Sequence, residues 1–198
     1  MSDATAKTGY IRQAWLVIFL ALAYGGALAG VQTTLGPRIE ENKRQETYSV
    51  IPALVEGADK SQTVEKTITG KDGKPQTVFL ARDSQGTPRG WVVPATGQGF
   101  ADRIDVLIGL DLDVSTITGL YVLDQKETPG LGNLIQDPAF QDRFIGKRTS
   151  EPVQVVKDDP AAGSNAVKAL TGATISSESV ATIVNSALKN LKEPIREL

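Results

Sequence analysis

Hydrophobic residues follow three patterns along the chain, and each pattern predicts a different kind of element. No charged residue occurs from Gln13 to Pro37, and the stretch from Ala14 to Val31 is almost entirely apolar. The middle of the chain alternates short β-rich runs with polar turns. These patterns predict a membrane-length helix and then a sheet. A final amphipathic helix is predicted by apolar residues at helical spacing: Val180, Ile183, Val184, Ala187, Leu188 and Leu191.

The uncharged stretch is long enough to cross the hydrocarbon core of a membrane as a helix. Trp15 lies near one end of it, where an interfacial aromatic residue is expected. Ala27-Leu28-Ala29 also matches a signal-peptide cleavage site, but the uncharged run is longer than the apolar part of a typical signal peptide. We therefore predict an uncleaved transmembrane anchor over residues 13–36. Basic residues flank it on both sides, so charge alone does not orient it.

The rest of the chain predicts a stalk followed by an α+β domain. Pro37 reads as the first residue of a new helix, which would form a stalk over residues 37–56. Turn-forming sequences then separate short β-rich runs, and the short connections predict antiparallel pairing. We expect a twisted antiparallel sheet with packed helices over residues 57–198. The predicted strands are Thr77–Arg82, Gly90–Val93, Arg103–Ile108, Thr116–Leu123 and Val153–Val156.

Composition narrows the chemistry that the domain can perform. The net charge is −2, which gives no basic surface for nucleic acid. The chain has no cysteine and no histidine, which excludes thiol catalysis, a Ser-His-Asp triad and the usual zinc, haem and iron–sulfur ligands. Electron transfer would therefore need an organic cofactor. No general acid–base constellation is visible, so we expect no independent catalysis.

A hydroxyl-rich segment immediately precedes the C-terminal helix. Thr171, Thr174, Ser176 and Ser177 surround Gly172-Ala173, whose small side chains allow a ligand close to the backbone. The first turn of a helix presents free N–H groups and a partial positive charge, which suits a phosphate. The same pattern is typical of an ordinary helix start in which Ser176 or Ser177 is the N-cap.

Two further features are candidate ligand contacts. The loop Glu127-Thr128-Pro129-Gly130-Leu131-Gly132 combines a tight turn at Pro129-Gly130 with a second glycine. Trp91 lies on a predicted strand, where its ring would either stack on a planar ligand or fill the core.

Both segments carry a family resemblance. Thr171-Gly172-Ala173-Thr174 resembles the flavinylation motif of the FMN-binding domain family, and the ETPGLG loop resembles the flavin-contacting loop of its membrane proteins, RnfG and NqrC. The anchor, the sheet and the two motifs also occur in the family's order. The resemblance implies FMN held by a phosphoester on Thr174. The flavin would be surrounded by Thr171, Gly172, Ala173, Ile175, Ser176 and Ser177, by Glu127, Thr128, Pro129, Gly130, Leu131 and Gly132, and by Trp91.

The resemblance also implies a role and a location. The chain would be a flavoprotein component of an Rnf-type ion-translocating oxidoreductase in the cytoplasmic (inner) membrane. Its tail, residues 1–12, would be cytoplasmic and its flavin domain extracytoplasmic. Its partners would be the other membrane subunits of the complex, with the flavin and iron–sulfur subunits. A separate flavin transferase is also expected, because no histidine is present to activate Thr174.

One position departs from the family pattern. The family motif carries an aspartate three residues before Thr171, where this chain has Lys168. Asp158 and Asp159 lie well upstream, and we expect no local geometry to bring either of them to this position.

Three alternative functions remain open at this point. The chain would be an NqrC-like carrier, or it would bind FMN non-covalently with Thr174 as a phosphate contact. In the third alternative it is a non-redox, membrane-anchored binding module in which Thr174 is only a helix-cap residue.

Overall fold

A computed structural model of the chain describes residues 4–198, with side chains from residue 14 onward. Of the predicted tail, residues 1–12, the first three lie outside the described residues and the rest belong to the first helix. The chain forms two compact units, Met1–Gln45 and Glu46–Leu198. The elements in order are helix α1 (Ala4–Leu54), strands β1 (Asp59–Thr69), β2 (Pro75–Arg82), β3 (Pro88–Gln98), β4 (Arg103–Asp111) and β5 (Ile117–Asp124), a 3₁₀ helix (Gly132–Gln136), helix α2 (Pro138–Gln141), a second 3₁₀ helix (Asp142–Phe144), strands β6 (Gln154–Val156) and β7 (Ala166–Lys168), and helix α3 (Thr174–Arg196).

The first unit contains the long apolar helix that the sequence predicts. Among the described residues, α1 is the one helix long and apolar enough to cross a membrane, and no part of its most apolar window is buried within the protein. Thr33 and Thr34 lie in this helix, and their hydroxyls donate hydrogen bonds to backbone carbonyls one turn earlier. Such bonds satisfy the hydroxyl groups inside an otherwise apolar segment.

The helix predicted to begin at Pro37 does not begin there, because α1 runs through this proline without interruption. A proline inside a helix removes one backbone hydrogen bond, here the bond to the carbonyl of Thr33. Good helix formers follow the proline, among them Arg38, Glu40, Glu41 and Lys43, and they favour continuation of the helix.

The second unit confirms the predicted antiparallel sheet. Its five long strands pair in the order β1-β2-β3-β4-β5, and every neighbouring pair is antiparallel. Side chains alternate between the two faces, so Ile104, Val106 and Ile108 of β4 face one core while Leu107 faces the other. Helix α3 covers the first face with the apolar stripe that its sequence predicts, and all six stripe residues are buried.

The other face of the sheet is covered by residues that follow Gln45. Ile51, Leu54 and Val55 are buried there against Phe79, Val92 and Leu107. The predicted stalk, residues 37–56, thus ends in residues that belong to the core of the domain.

Two glycines make this close packing possible. Gly109 of β4 and Gly119 of β5 are paired across the sheet. A side chain on Gly119 would meet the Cα atom of Leu54 at 2.9 Å, and one on Gly109 would overlap the Leu54 carbonyl oxygen. Thr118 Oγ1 donates a hydrogen bond of 2.6 Å to the same oxygen.

One part of the domain departs from the antiparallel prediction. Strand β6, which matches the predicted strand at Val153–Val156, pairs in parallel with β7 in a separate two-stranded sheet. The crossover between them is a loop rather than a helix, so sequence periodicity gave no sign of a parallel pair. Strand β7 leads directly into the turn before α3.

Candidate functional site

Helix α3 begins at Thr174 with its first N–H groups open. The residue before it, Ala173, is the N-cap, and no side chain caps the helix. Gly172 adopts a φ of +80°, which L residues rarely adopt, so the turn favours glycine at this place. The first N–H groups of a helix have no acceptor within it, and together with the helix dipole they attract an anion. Thr174 is therefore placed where a phosphate on its hydroxyl would be stabilised.

The expectation that Ser176 or Ser177 is the N-cap is wrong. Both serines lie inside the first turn of α3, and both are buried. The Ser177 hydroxyl donates to the Ala173 carbonyl at 2.9 Å and accepts from the Leu170 N–H at 3.0 Å. The Ser176 hydroxyl donates to the carboxylate of Glu127. These serines stabilise the turn and the neighbouring loop, and they leave the N–H groups at the start of α3 available.

Thr174 lines a mostly apolar cavity of about 450 Å³. A cavity of this size is typical of sites for small organic ligands. The described side chains around it include no lysine and no arginine. The lining consists of Phe100, Thr128, Leu131, Gly132, Gly172, Ala173, Thr174, Ile175 and Ser176.

The ETPGLG loop packs directly against the start of α3. The Thr128 carbonyl accepts hydrogen bonds from the N–H groups of Leu131 and Asn133, both at 3.2 Å, which closes the loop on itself. A side chain on Gly132 would come within 2.8 Å of the Ser176 hydroxyl. Only glycine therefore allows the loop to approach the helix closely enough to form a wall of the cavity.

Most of the residues predicted for the site are brought together. Eight of them line the cavity, and Glu127 and Ser177 lie buried immediately behind this lining. Pro129, Gly130 and Thr171 belong to the same two segments but do not line the cavity.

Trp91 is not brought to the site. It is 5% exposed in the core beneath α3, where Lys66 Nζ lies 5.7 Å from the centre of its ring. It lies at the opposite end of β3 from the turn that carries Phe100. Its side chain therefore has the core role that the sequence left open.

Sequence reasoning missed Phe100. This residue is 60% exposed and lies in the turn between β3 and β4. It is the one exposed aromatic side chain among the described residues from Glu46 onward. The available signal was an aromatic residue within the glycine-rich sequence Gly97-Gln98-Gly99-Phe100.

The same turn carries a charged contact to the ETPGLG region. Lys126 Nζ lies 3.4 Å from Asp102 Oδ2, and both side chains are substantially exposed. A backbone hydrogen bond from Arg103, followed in strength by the contact with Lys126, lowers the pKa of Asp102. This carboxyl group is therefore ionised at neutral pH and contributes an exposed ion pair.

Lys168 has a carboxylate partner, contrary to expectation. Its Nζ lies 2.7 Å from Asp159 Oδ1. The crossover between β6 and β7 folds back over the end of β7, which brings the two side chains together. A carboxylate is thus present beside the position where the family motif carries an aspartate.

Comparisons with known proteins identify the family of the segment that contains the cavity. Residues 99–189, from the turn of Phe100 to the middle of α3, match the family described as FMN-binding domain. The G subunit of the ion-translocating oxidoreductase complex of Methanosarcina acetivorans is 30% identical, over 95% of this chain and 96% of the relative. The G subunit of the Na⁺-translocating ferredoxin:NAD⁺ oxidoreductase complex of Acetobacterium woodii is 32% identical, over 80% of this chain and 74% of the relative.

A solved structure has the same fold. The C subunit of the Na⁺-translocating NADH-quinone reductase of Parabacteroides distasonis superimposes with a TM-score of 0.59 at 25% identity, covering 69% of this chain and 80% of that one.

Proposed function

The chain belongs to the family of the G subunits of ion-translocating oxidoreductase complexes, and from this premise we propose that it is a membrane-anchored flavoprotein that relays electrons within such a complex. The proposal makes FMN the carrier, attached by a phosphoester to Thr174. The observation that carries it is the uncapped start of α3, which presents Thr174 and free N–H groups to an apolar cavity. FMN supplies the redox chemistry when bound, since the chain has no cysteine or histidine to hold a metal centre.

The lining of the cavity fits the two ends of the cofactor. The N–H groups of Thr174, Ile175 and Ser176 would hold the phosphate oxygens, because they have no acceptor within the helix. The apolar side chains of Phe100 and Leu131 would contact the ring, which is the larger and less polar part of the cofactor.

The charge of the site favours covalent over non-covalent binding. A free FMN phosphate carries nearly two negative charges at neutral pH, whereas a phosphate esterified at both ends carries one. Since no described lysine or arginine lines the cavity, the partial positive charge at the start of α3 is the main compensation available. That partial charge suits a single negative charge better than two.

Attachment requires an enzyme besides this chain. A threonine hydroxyl is a weak nucleophile unless a base activates it, and no described carboxylate, lysine or arginine lines the cavity beside Thr174. A flavin transferase would therefore form the bond. The Asp159 carboxylate beside Lys168 would serve in place of the aspartate in the family motif.

The location follows from the same proposal. The anchor would hold the chain in the cytoplasmic membrane with its tail inside and the flavin domain on the extracytoplasmic side. The electron donor and acceptor would be other subunits of the complex, including its flavin and iron–sulfur subunits.

Intact-mass measurement of the chain purified from a membrane that contains the transferase tests the proposal. We expect an added mass equal to FMN less one water, mapped to Thr174. Thr174→Val should remove this mass and the flavin fluorescence of the denatured chain, because valine keeps the shape of threonine but lacks the hydroxyl.

Thr182→Val, on the exposed face of the same helix, is the matched control and should remain fully flavinylated. Covalent flavin on the Thr174→Val chain would disprove the attachment site. Flavin released by denaturing the wild-type chain would support non-covalent binding, and a chain that never acquires flavin would support the binding module.

A further inference from the structure

A buried carboxylate lies behind the candidate cofactor cavity rather than in its lining. Glu127, the first residue of the ETPGLG loop, is 4% exposed. Burying a carboxylate is costly unless hydrogen bonds compensate for the lost water. The hydrogen bonds described for this carboxylate come from a hydroxyl and from a backbone N–H group, not from a basic side chain. An ion pair therefore does not explain why this carboxylate is buried.

The carboxylate of Glu127 joins three segments that are distant in sequence. One oxygen accepts a 3.0 Å hydrogen bond from the N–H of Ala101, in the turn between β3 and β4. The other accepts from the hydroxyl of Ser176, in the first turn of α3. Glu127 itself belongs to the loop that forms the third wall of the cavity.

Glycines bring these segments close enough for the contact. A side chain on Gly99 would overlap the Glu127 carboxylate, and a side chain on Gly132 would lie 2.9 Å from Glu127 Cβ. The turn that receives the carboxylate, residues 99–102, is closed by a 2.8 Å hydrogen bond from the Gly99 N–H to the Asp102 carbonyl. Phe100 lies within this turn, so fixing the turn fixes the exposed aromatic side chain at the rim of the cavity.

We propose that Glu127 is a positioning residue. By accepting hydrogen bonds from Ala101 and Ser176, it holds Phe100 against the cavity, and the Phe100 ring then shields the cofactor from solvent. The shielding of a flavin rests on the proposed function. The joining of the three segments is a property of the chain itself and is testable without cofactor. Glu127 acts through Phe100 and the start of α3, and not by contact with the reacting atoms.

Hydrogen exchange on the full chain in detergent, purified without the transferase, tests the joining step. In Glu127→Ala, two hydrogen-bonded amides should exchange about tenfold faster, the effect of losing one hydrogen bond to a carboxylate. They are the amide of Ala101 and the amide of Ser177, which donates to the Ala173 carbonyl at the start of α3. Amides in the middle of β4 should keep their rates. Glu127→Gln should largely restore protection, because its amide oxygen accepts from Ala101 and its amide nitrogen donates to Ser176 Oγ.

Two variants keep this test decisive. Ser176→Ala removes one end of the contact and should loosen the start of α3 even if Glu127→Ala folds poorly. Asp102→Asn is the control, since Asp102 also links the turn to the ETPGLG region but through an exposed pair, which contributes little. Equal protection of these amides in wild type, Glu127→Ala and Ser176→Ala would overturn the proposal.

The flavinylated chain tests the effect on the cofactor. Quenching of flavin fluorescence by iodide should rise about twofold in Phe100→Ala, because an aromatic cover shields about one of the two faces of a planar ring. Glu127→Ala should produce a similar rise, and the double variant should be no worse than Phe100→Ala. Additive effects, or no effect of Glu127→Ala, would show that Glu127 does not act through Phe100.

The two arms separate the two proposals. If the chain never acquires flavin in a membrane that contains the transferase, yet Glu127→Ala loses protection, the proposed function is refuted and the joining role of Glu127 is retained.

Discussion

Lys168, in the strand that leads to the turn before α3, forms a contact with Asp159 that has little influence on folding. Asp159 is 86% exposed and its ion pair with Lys168 lies at the surface, where such pairs contribute only a few tenths of a kcal/mol or less. Both groups are therefore accessible to an enzyme that approaches Thr174. A change at either position should alter recognition without altering the fold.

Asp159→Asn should lower the fraction of chains that carry flavin when the transferase is limiting, because it removes the carboxylate nearest to the position of the missing aspartate. Intact-mass measurement gives this fraction directly. Asp158→Asn is the matched control and should behave as wild type, since no contact of the Asp158 carboxylate with Lys168 is described. Equal flavinylation of both variants would show that the transferase does not depend on Asp159.

At the residue scale, local sequence motifs predicted segments that line the cavity, whereas contacts between distant segments could not be predicted. The Thr-Gly-Ala-Thr and ETPGLG segments pointed correctly to two walls of the cavity. The bond between Glu127 and Ser176 joins residues 49 apart in sequence, and no local pattern encodes such a contact. Phe100 was missed for the same reason, because an exposed aromatic residue becomes informative only once the cavity beside it is known.

At the scale of elements, the end of α1 packs closely against the sheet at two glycines, where no side chain separates the helix from the strands. Gly109 and Gly119 let the backbone around Leu54 lie directly on β4 and β5. This contact fixes the last turn of the helix against the core that Leu54 shares with Phe79 and Leu107.

Gly109→Ala should lower the free energy of unfolding of the domain by about 2 kcal/mol or more, because the added methyl group overlaps the Leu54 carbonyl and forces backbone atoms apart. Thermal unfolding followed by the loss of β-sheet circular dichroism measures the change.

Thr118→Val tests the same contact more gently. It removes the hydrogen bond to the Leu54 carbonyl and should cost about 1 kcal/mol. Thr77→Val, at an exposed position of β2, should change stability little. A neutral Gly109→Ala variant would mean that the end of α1 does not rest on the sheet.

Elements with a clear period were predictable, and boundaries set by packing were not. The stripe of α3 and the alternation in β4 follow directly from one-sided burial. The end of α1 has no such signature, because whether residues 46–55 continue a stalk or complete a core depends on the sheet that they meet. The parallel pairing of β6 and β7 is likewise set by the return of a distant segment.

For the whole molecule, the division into two units indicates where the folded domain begins. The second unit starts at Glu46, and its second core includes Ile51, Leu54 and Val55. Burial of each such side chain contributes about 1.5–3 kcal/mol. Together they amount to a large fraction of the roughly 5–15 kcal/mol that stabilises a typical domain.

A truncated chain that begins at Glu46 should therefore be a soluble, folded monomer, whereas one that begins at residue 57 should aggregate or unfold at ordinary temperature. The shorter chain exposes Phe79, Val92 and Leu107, which form a contiguous apolar surface. Size-exclusion chromatography and thermal unfolding compare the two. Equal melting temperatures would show that residues 46–56 are dispensable and that the boundary predicted from sequence is the true one.

The exposed rim of the cavity has a consequence for how the cofactor is retained. Phe100, Leu131 and Ile175 remain about half exposed or more, so the site encloses its ligand incompletely and would hold a freely exchanging flavin weakly. The proposed tether to Thr174 would raise the effective concentration of the ring far above the flavin concentration of any cell. Occupancy would then be independent of the supply of free flavin. Under the proposed function, the pocket would need little affinity for free flavin, and it could leave one edge of the ring open for electrons to enter and leave.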